Sequence, residues 1–118
     1  MAHGIQIDVK AMRGSAVEAS NLLKSLANPH RLLILCQLAG GERSVGELAS
    51  FLGIRDTVAS QHLALLRKDE LVAGRRDGQT VWYSLADTPA RAVLETLYRI
   101  YCASPPRRSA RKPESARR

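Results

Sequence analysis

Aromatic side chains are scarce in this 118-residue chain, at 4% of the sequence, with one Trp and one Phe among them. The core must therefore be aliphatic, and a hydrophobic content of 45% suffices for one small domain. A run of about 18 apolar residues is missing, which excludes a membrane-spanning helix. The opening stretch MAHGIQIDVKAMRG lacks the apolar segment of a signal peptide, so a soluble, cytoplasmic protein is expected. Cysteine is nearly absent as well: Cys36 and Cys102 stand alone. In a reducing compartment they are expected to be inert core thiols or a redox-responsive pair rather than a structural disulfide.

Signatures of catalysis are also lacking. The chain has no phosphate-cradling glycine loop, no nucleophile elbow and no supported pair of carboxylates, so an enzyme is not expected.

What the sequence has in excess is positive charge, at a net +7. Most of it is terminal. From Pro105 onward six basic residues (Arg107, Arg108, Arg111, Lys112, Arg117 and Arg118) face one acid, Glu114, which leaves residues 1–104 with only +2. Residues 105–118 are expected to form a disordered basic tail, either merely solvating or a non-specific arm for phosphates. A DNA-binding reading must therefore rest on the remainder of the chain.

The first twelve residues show no clear period, and residues 1–14 are expected to be a flexible segment. From Ser15 to about Ala27, apolar residues Ala19, Leu22, Leu23 and Leu26 recur at helical spacing. Asn28-Pro29 caps a second helix, Gly40-Gly41 supplies its left-handed stop, and its leucine-rich middle, which includes Cys36, should lie at the centre of the core. Ser44 and Glu47 fit a capping box for a short third helix closed by Gly53. A fourth follows after three residues, capped by Asp56 or Thr57. Two short helices joined by a glycine turn outline a helix-turn-helix.

The fourth helix separates into two faces. Val58, Leu65 and Leu66 are expected to point inward, while Thr57, Ser60, Gln61, Ala64 and Lys68 fall on one outward stripe. Small, polar and basic, that stripe suits a major groove, where Ser, Thr and Gln reach base edges and Ala allows close approach. His62 is read as a packing or phosphate-contact residue of the same element. The period then changes to two: LVAGRRDGQTVWYSL reads as two strands about a type I′ Asp77-Gly78 turn. Such a hairpin is a wing, with Arg75, Arg76 and Gln79 placed to grip flanking phosphates. A last helix, capped by Asp87 with Pro89 in its first turn, carries an apolar stripe of Ala90, Val93, Leu94, Leu97, Tyr98 and Tyr101. Its apolar area and that of the first helix exceed the needs of one small domain, so a homodimer through these two helices is expected, reading an inverted repeat of double-stranded DNA.

The fold expected is mainly α with a small β-hairpin: a winged helix-turn-helix over residues 15–104, in the order four helices, two strands, one helix. The succession LANPHRLLIL, SVGEL, SQHLALLRKDELV and RRDGQTVWYSL resembles the ArsR/SmtB family of dimeric winged-helix repressors over about residues 15–102. Members of that family often sense metals through Cys-x-Cys in the third helix or Asp and His in the fifth. Here SVGEL supplies Ser44, Val45 and Gly46 instead, the fifth helix has no His, and His3, His30 and His62 are scattered. Neither a metal nor a cofactor is expected.

The placing of Cys36 in the second helix and Cys102 at the end of the fifth is similar to the sulfide- and persulfide-responsive branch of the family. That resemblance implies a disulfide or polysulfide bridge within one subunit, loss of DNA affinity, and target genes of sulfide oxidation or detoxification. Cys36, expected among leucines, should be the less acidic thiol. Cys102, near Arg99, Arg107 and Arg108, should react first and be resolved by Cys36. A direct disulfide needs Cα atoms about 4.4 to 6.8 Å apart, whereas inserted sulfur tolerates a wider gap. Peroxide sensing, a repressor not regulated through thiols, and a non-specific architectural DNA binder are the competing readings.

Overall fold

The structure, a computed structural model, describes residues 4–103. His3 and the basic tail lie outside the described residues. The elements are α1 (Val9–Leu26), α2 (Pro29–Ala39), β1 (Arg43–Ser44), α3 (Val45–Leu52), α4 (Asp56–Lys68), β2 (Val72–Asp77), β3 (Thr80–Leu85) and α5 (Ala90–Tyr98), followed by a π-helical turn at Arg99–Ala103. This is the expected mostly helical winged helix-turn-helix, with one addition: the two-residue β1 joins the hairpin in an antiparallel sheet of order β1-β3-β2. Two residues are too few to show a period, which is why β1 is invisible in the sequence. The chain divides into two compact units between Thr88 and Pro89.

In the first unit the core is aliphatic. Ile34, Leu35 and Leu38 of α2, Leu48 and Ala49 of α3, and Ala59, Leu63 and Leu66 of α4 are buried, together with Leu26, Leu71 and Val72. Each buried Leu or Ile contributes about 1.5–3 kcal/mol through the apolar surface it removes from water.

Local signals fix most helix ends. The Asn28 side chain accepts the backbone N–H groups of His30 and Arg31 at 2.9 and 3.1 Å, and Pro29 takes the first position of α2, where no donor is missed. At α3 the capping box closes both ways, Glu47 N–H to Ser44 Oγ at 3.2 Å and Ser44 N–H to Glu47 Oε1 at 3.1 Å. Gly53 adopts φ 70°, and the N–H groups of Gly53 and Ile54 return to the carbonyls of Ser50 and Ala49. This Schellman arrangement turns the chain sharply into α4.

Other expectations are corrected. α1 starts at Val9, not near Ser15, because the Asp8 carboxylate accepts the Ala11 N–H at 3.2 Å and supplies an earlier cap. Leu23 is exposed, so the buried stripe of α1 is narrower than its leucines suggest. After α2, Gly40 stays right-handed at φ −89° and the positive φ, 143°, falls on Gly41. The cap of α4 is Arg55, whose carbonyl accepts from Val58 and Ala59, and Asp56 is the first helical residue. There its charge meets the positive end of the helix dipole. Leu65 is 50% exposed although its neighbour Leu66 is fully buried, since adjacent helical positions lie about 100° apart. α4 ends in a second Schellman arrangement, with Glu70 at φ 63° and the Leu71 N–H bonded to the Leu66 carbonyl at 2.9 Å.

In the hairpin Asp77 pairs with Thr80, so the two loop residues are Gly78 and Gln79. Of these two only Gly78 has positive φ, 65°, the pattern of a II′ turn rather than the expected I′ turn on Asp77-Gly78.

In the second unit, α5 is capped by Pro89, not by Asp87: proline at φ −60° is already helical, and its carbonyl accepts the Val93 N–H at 3.2 Å. Ala90 and Leu94 are buried, whereas Tyr98, Ile100 and Tyr101 are exposed.

Candidate nucleic-acid interface

The turn at Gly53 holds α3 and α4 as a helix-turn-helix, and what α4 then presents depends on its period. Ala59, Leu63 and Leu66 fill the inward arc, which turns Thr57, Ser60, Gln61, Ala64 and Lys68 to solvent together. All five are exposed, and Lys68 and Arg67 sit in the last turn of α4.

His62 borders that stripe. It is half-buried, and its ring meets His30 of α2 edge to face with centroids 5.6 Å apart. Its pKa is lowered, first by removal from water and then by the charges of Arg31 and His30. The ring contact seats His62 against α2, at the edge of the exposed stripe. Nearby, Ser25 Oγ donates to Asp69 Oδ2 at 2.6 Å and Arg31 Nε donates to the Ser25 carbonyl at 2.9 Å, which ties α1 to α2 and to the end of α4.

The two wing arginines are separated by the pleat. The register pairs Arg75 with Trp82 and Arg76 with Val81, so their side chains leave opposite faces of the sheet. Arg76 shares its face with Gly74, where an added Cβ would stand 3.3 Å from Arg67 Nη1 of α4. On the other face, Arg75 makes a bidentate pair with Glu42, at 2.8 Å from Nη2 to Oε1 and 3.1 Å from Nε to Oε2. Each group holds the other charged: the Arg75 hydrogen bond lowers the Glu42 pKa, and the Glu42 hydrogen bond raises that of Arg75. Arg75 and Arg76 therefore do not form one grip, and Glu42 is a partner that the sequence reading missed. The only signal was the carboxylate in GGERS, in a loop with no period.

Cys36 is also not where the leucines around it suggest. The inward arc of α2 is Ile34, Leu35 and Leu38, and Cys36 occupies the opposite arc with Pro29, Leu33 and Gly40. It is an exposed thiol, as is Cys102 in the π-helical turn. Burial thus gives no reason to rank Cys36 second in reactivity.

Residues 28–73, from the cap of α2 to the start of the wing, match the family described as bacterial regulatory protein, arsR family. Over 99 residues the chain is 46% identical to the transcriptional activator HlyU of Vibrio cholerae, covering 84% of this chain and 92% of the relative. The chain belongs to the arsR family. A second relative, the biofilm growth-associated repressor of Agrobacterium fabrum, is 45% identical over 98 residues, 83% of this chain and 84% of that one. Among solved structures, the transcriptional repressor BigR from Xylella fastidiosa matches with a TM-score of 0.78 at 39% identity, covering 83% of this chain and all of the other (100%). The homodimeric winged helix-turn-helix DNA-binding domain Mb0332 from Mycobacterium bovis matches with a TM-score of 0.66 at 33% identity, covering 83% and 89%. These relatives are transcription regulators rather than enzymes. For this arsR-family chain, no group of three or more His, Cys, Asp or Glu among the described residues is placed to hold a metal ion. No helix among the described residues is long and apolar enough to cross a membrane.

Proposed function

We propose that this protein is a sequence-specific transcriptional repressor that binds double-stranded DNA as a homodimer and releases it when Cys36 and Cys102 are joined by a disulfide or polysulfide bridge. The observation that carries the DNA reading is the exposed stripe Thr57, Ser60, Gln61, Ala64 and Lys68 on α4, behind a helix-turn-helix turn in an arsR-family chain. On this reading Thr57, Ser60 and Gln61 bond base edges, Ala64 admits a thymine methyl, and Lys68, Arg76 and Gln79 meet phosphates. His62 supports α4 from behind.

Dimerisation is supported by apolar residues left in water on each unit by itself. Val9, Val17 and Leu23 of α1 are 59–75% exposed, and Tyr98 and Tyr101 are 62% and 78% exposed. A two-fold dimer with these helices at its interface would present two α4 helices to half-sites about one DNA turn apart.

The sensing chemistry rests on two exposed thiols and on the resemblance to the sulfur-responsive branch. One cysteine thiolate attacks the terminal sulfur of a small persulfide, RSSH, which forms a protein persulfide and expels RS⁻. The second thiolate then attacks the protein-bound sulfur and expels HS⁻, which leaves a disulfide. If both cysteines are first persulfidated, the same attack leaves a trisulfide and again expels HS⁻. A small persulfide or polysulfide is therefore both inducer and oxidant, and the genes governed would be those of sulfide oxidation and detoxification.

Selection from a pool of randomised duplexes with the reduced full chain tests the DNA reading. Recovery of an inverted repeat bound about 10³-fold or more over random duplex is the expected result. Equal affinity for all duplexes would instead mean non-specific, architectural binding.

A further inference from the structure

The antiparallel register sets Ser44, Trp82 and Arg75 side by side across β1, β3 and β2, with their side chains on one face of the sheet. Glu42 immediately precedes β1, and its carboxylate meets the Arg75 guanidinium. Its bidentate pair with Arg75 spans from the entrance of β1 to the far strand β2, across β3. The anchored end is a fixed point. Arg43 Nε donates to Gln37 Oε1 of α2 at 3.2 Å, and Ser44 is the reciprocal cap of α3, the first helix of the helix-turn-helix. One ion pair thus couples the far strand of the wing to the residues that start the DNA-reading unit.

From this geometry we infer that Glu42 and Arg75 are positioning residues: a strap that sets the angle of the wing against α3 and α4, while Arg76 on the opposite face is the phosphate contact. The strap does so because a bidentate guanidinium–carboxylate pair fixes direction as well as distance. It also takes up two of the five N–H donors of Arg75, the one on Nε and one on Nη2, and points that edge of the guanidinium at Glu42. The role in DNA affinity rests on the DNA-binding reading above; the role in holding the wing does not, and the two are tested separately.

The full chain is compared with Arg75→Gln, Glu42→Gln and the charge-swapped double variant Glu42→Arg/Arg75→Glu. In the absence of DNA, backbone amide exchange across residues 74–82 should quicken about two- to fivefold in each single variant, the scale of an exposed pair, and return to the parent rate in the swap. Unchanged exchange in the single variants would overturn the strap. With the duplex recovered by selection, both single variants should bind about two- to fivefold more weakly with an unchanged salt slope, and the swap should restore affinity. A direct phosphate contact at Arg75 gives the opposite pattern: Glu42→Gln binds more tightly, Arg75→Gln lowers the slope by about 0.9 per lost contact, and the swap binds worst. If the parent chain shows no preference among duplexes, the DNA reading falls, and amide exchange still decides whether the strap holds the wing.

Discussion

The rings of His30 on α2 and His62 on α4 meet edge to face with centroids 5.6 Å apart, which puts a titratable contact between the core helix and the helix proposed to read DNA. Desolvation, then Arg31 and His30, lower the His62 pKa below its ordinary value of 6.5, so the folded state favours the neutral ring. The unfolded chain binds the proton more readily. The stability linked to His62 is therefore intact above about pH 6.5 and is lost as the pH falls from there through the lower, folded pKa. Thermal unfolding followed from about pH 7.5 down to pH 5 should show a smaller decline for His62→Gln than for the parent. Equal declines would remove His62 as the cause.

Gln61 stands at the middle of the exposed α4 stripe and can bond a base at two atoms. Gln61→Ala should cut discrimination between the selected duplex and random duplex about tenfold, with an unchanged melting temperature. Lys68→Gln should instead weaken both duplexes alike and make the salt dependence shallower by about 0.9 per lost phosphate contact. Competition titrations at two salt concentrations distinguish the two effects.

Glu70 closes α4 at φ 63°, a left-handed conformation that costs a residue with a Cβ about 1 kcal/mol relative to glycine. Denaturant titration of Glu70→Gly should show a gain of about 0.5–1 kcal/mol with an unchanged slope. A loss of stability would mean that the Glu70 side chain contributes more than its backbone costs.

Leu65 and Leu66 are neighbours with opposite exposure. Leu66→Ala should cost about 2–5 kcal/mol, since it opens a cavity in a core with no exposed atoms at that position. Leu65→Ala should stay within about 0.5 kcal/mol in the monomeric chain. Comparable losses would contradict the orientation of α4.

That pair also marks the boundary of what the sequence makes legible. Where a side chain bonds to its own backbone neighbours, the pattern is local and readable: Asn28-Pro29, the Ser44–Glu47 box and Gly53 all behave as expected. So is the arc of Thr57, Ser60, Gln61, Ala64 and Lys68, because small and polar residues at helical spacing have one geometric meaning. Exposure at the edge of an arc is not local. Leu65, Leu23 and Cys36 each directly follow an apolar residue, yet each lies outside the buried arc of its own helix. The roles of Arg75 and Arg76 could not be separated either, since the pleat sends consecutive side chains to opposite faces and the Glu42 partner is 33 residues away. The early start of α1 rests on the single carboxylate of Asp8, ahead of residues without a buried face.

One paired measurement tests whether a thiol bridge switches DNA binding. Affinity of the reduced full chain for its selected duplex is measured before and after glutathione persulfide, with intact-mass and peptide analysis of the same samples, alongside Cys36→Ser and Cys102→Ser. Parent affinity should fall at least about tenfold, equivalent to about 1.4 kcal/mol, together with a Cys36 to Cys102 bridge, and both variants should stay bound. Undiminished binding by a fully bridged parent, or equal release by the serine variants, would rule out the thiol switch.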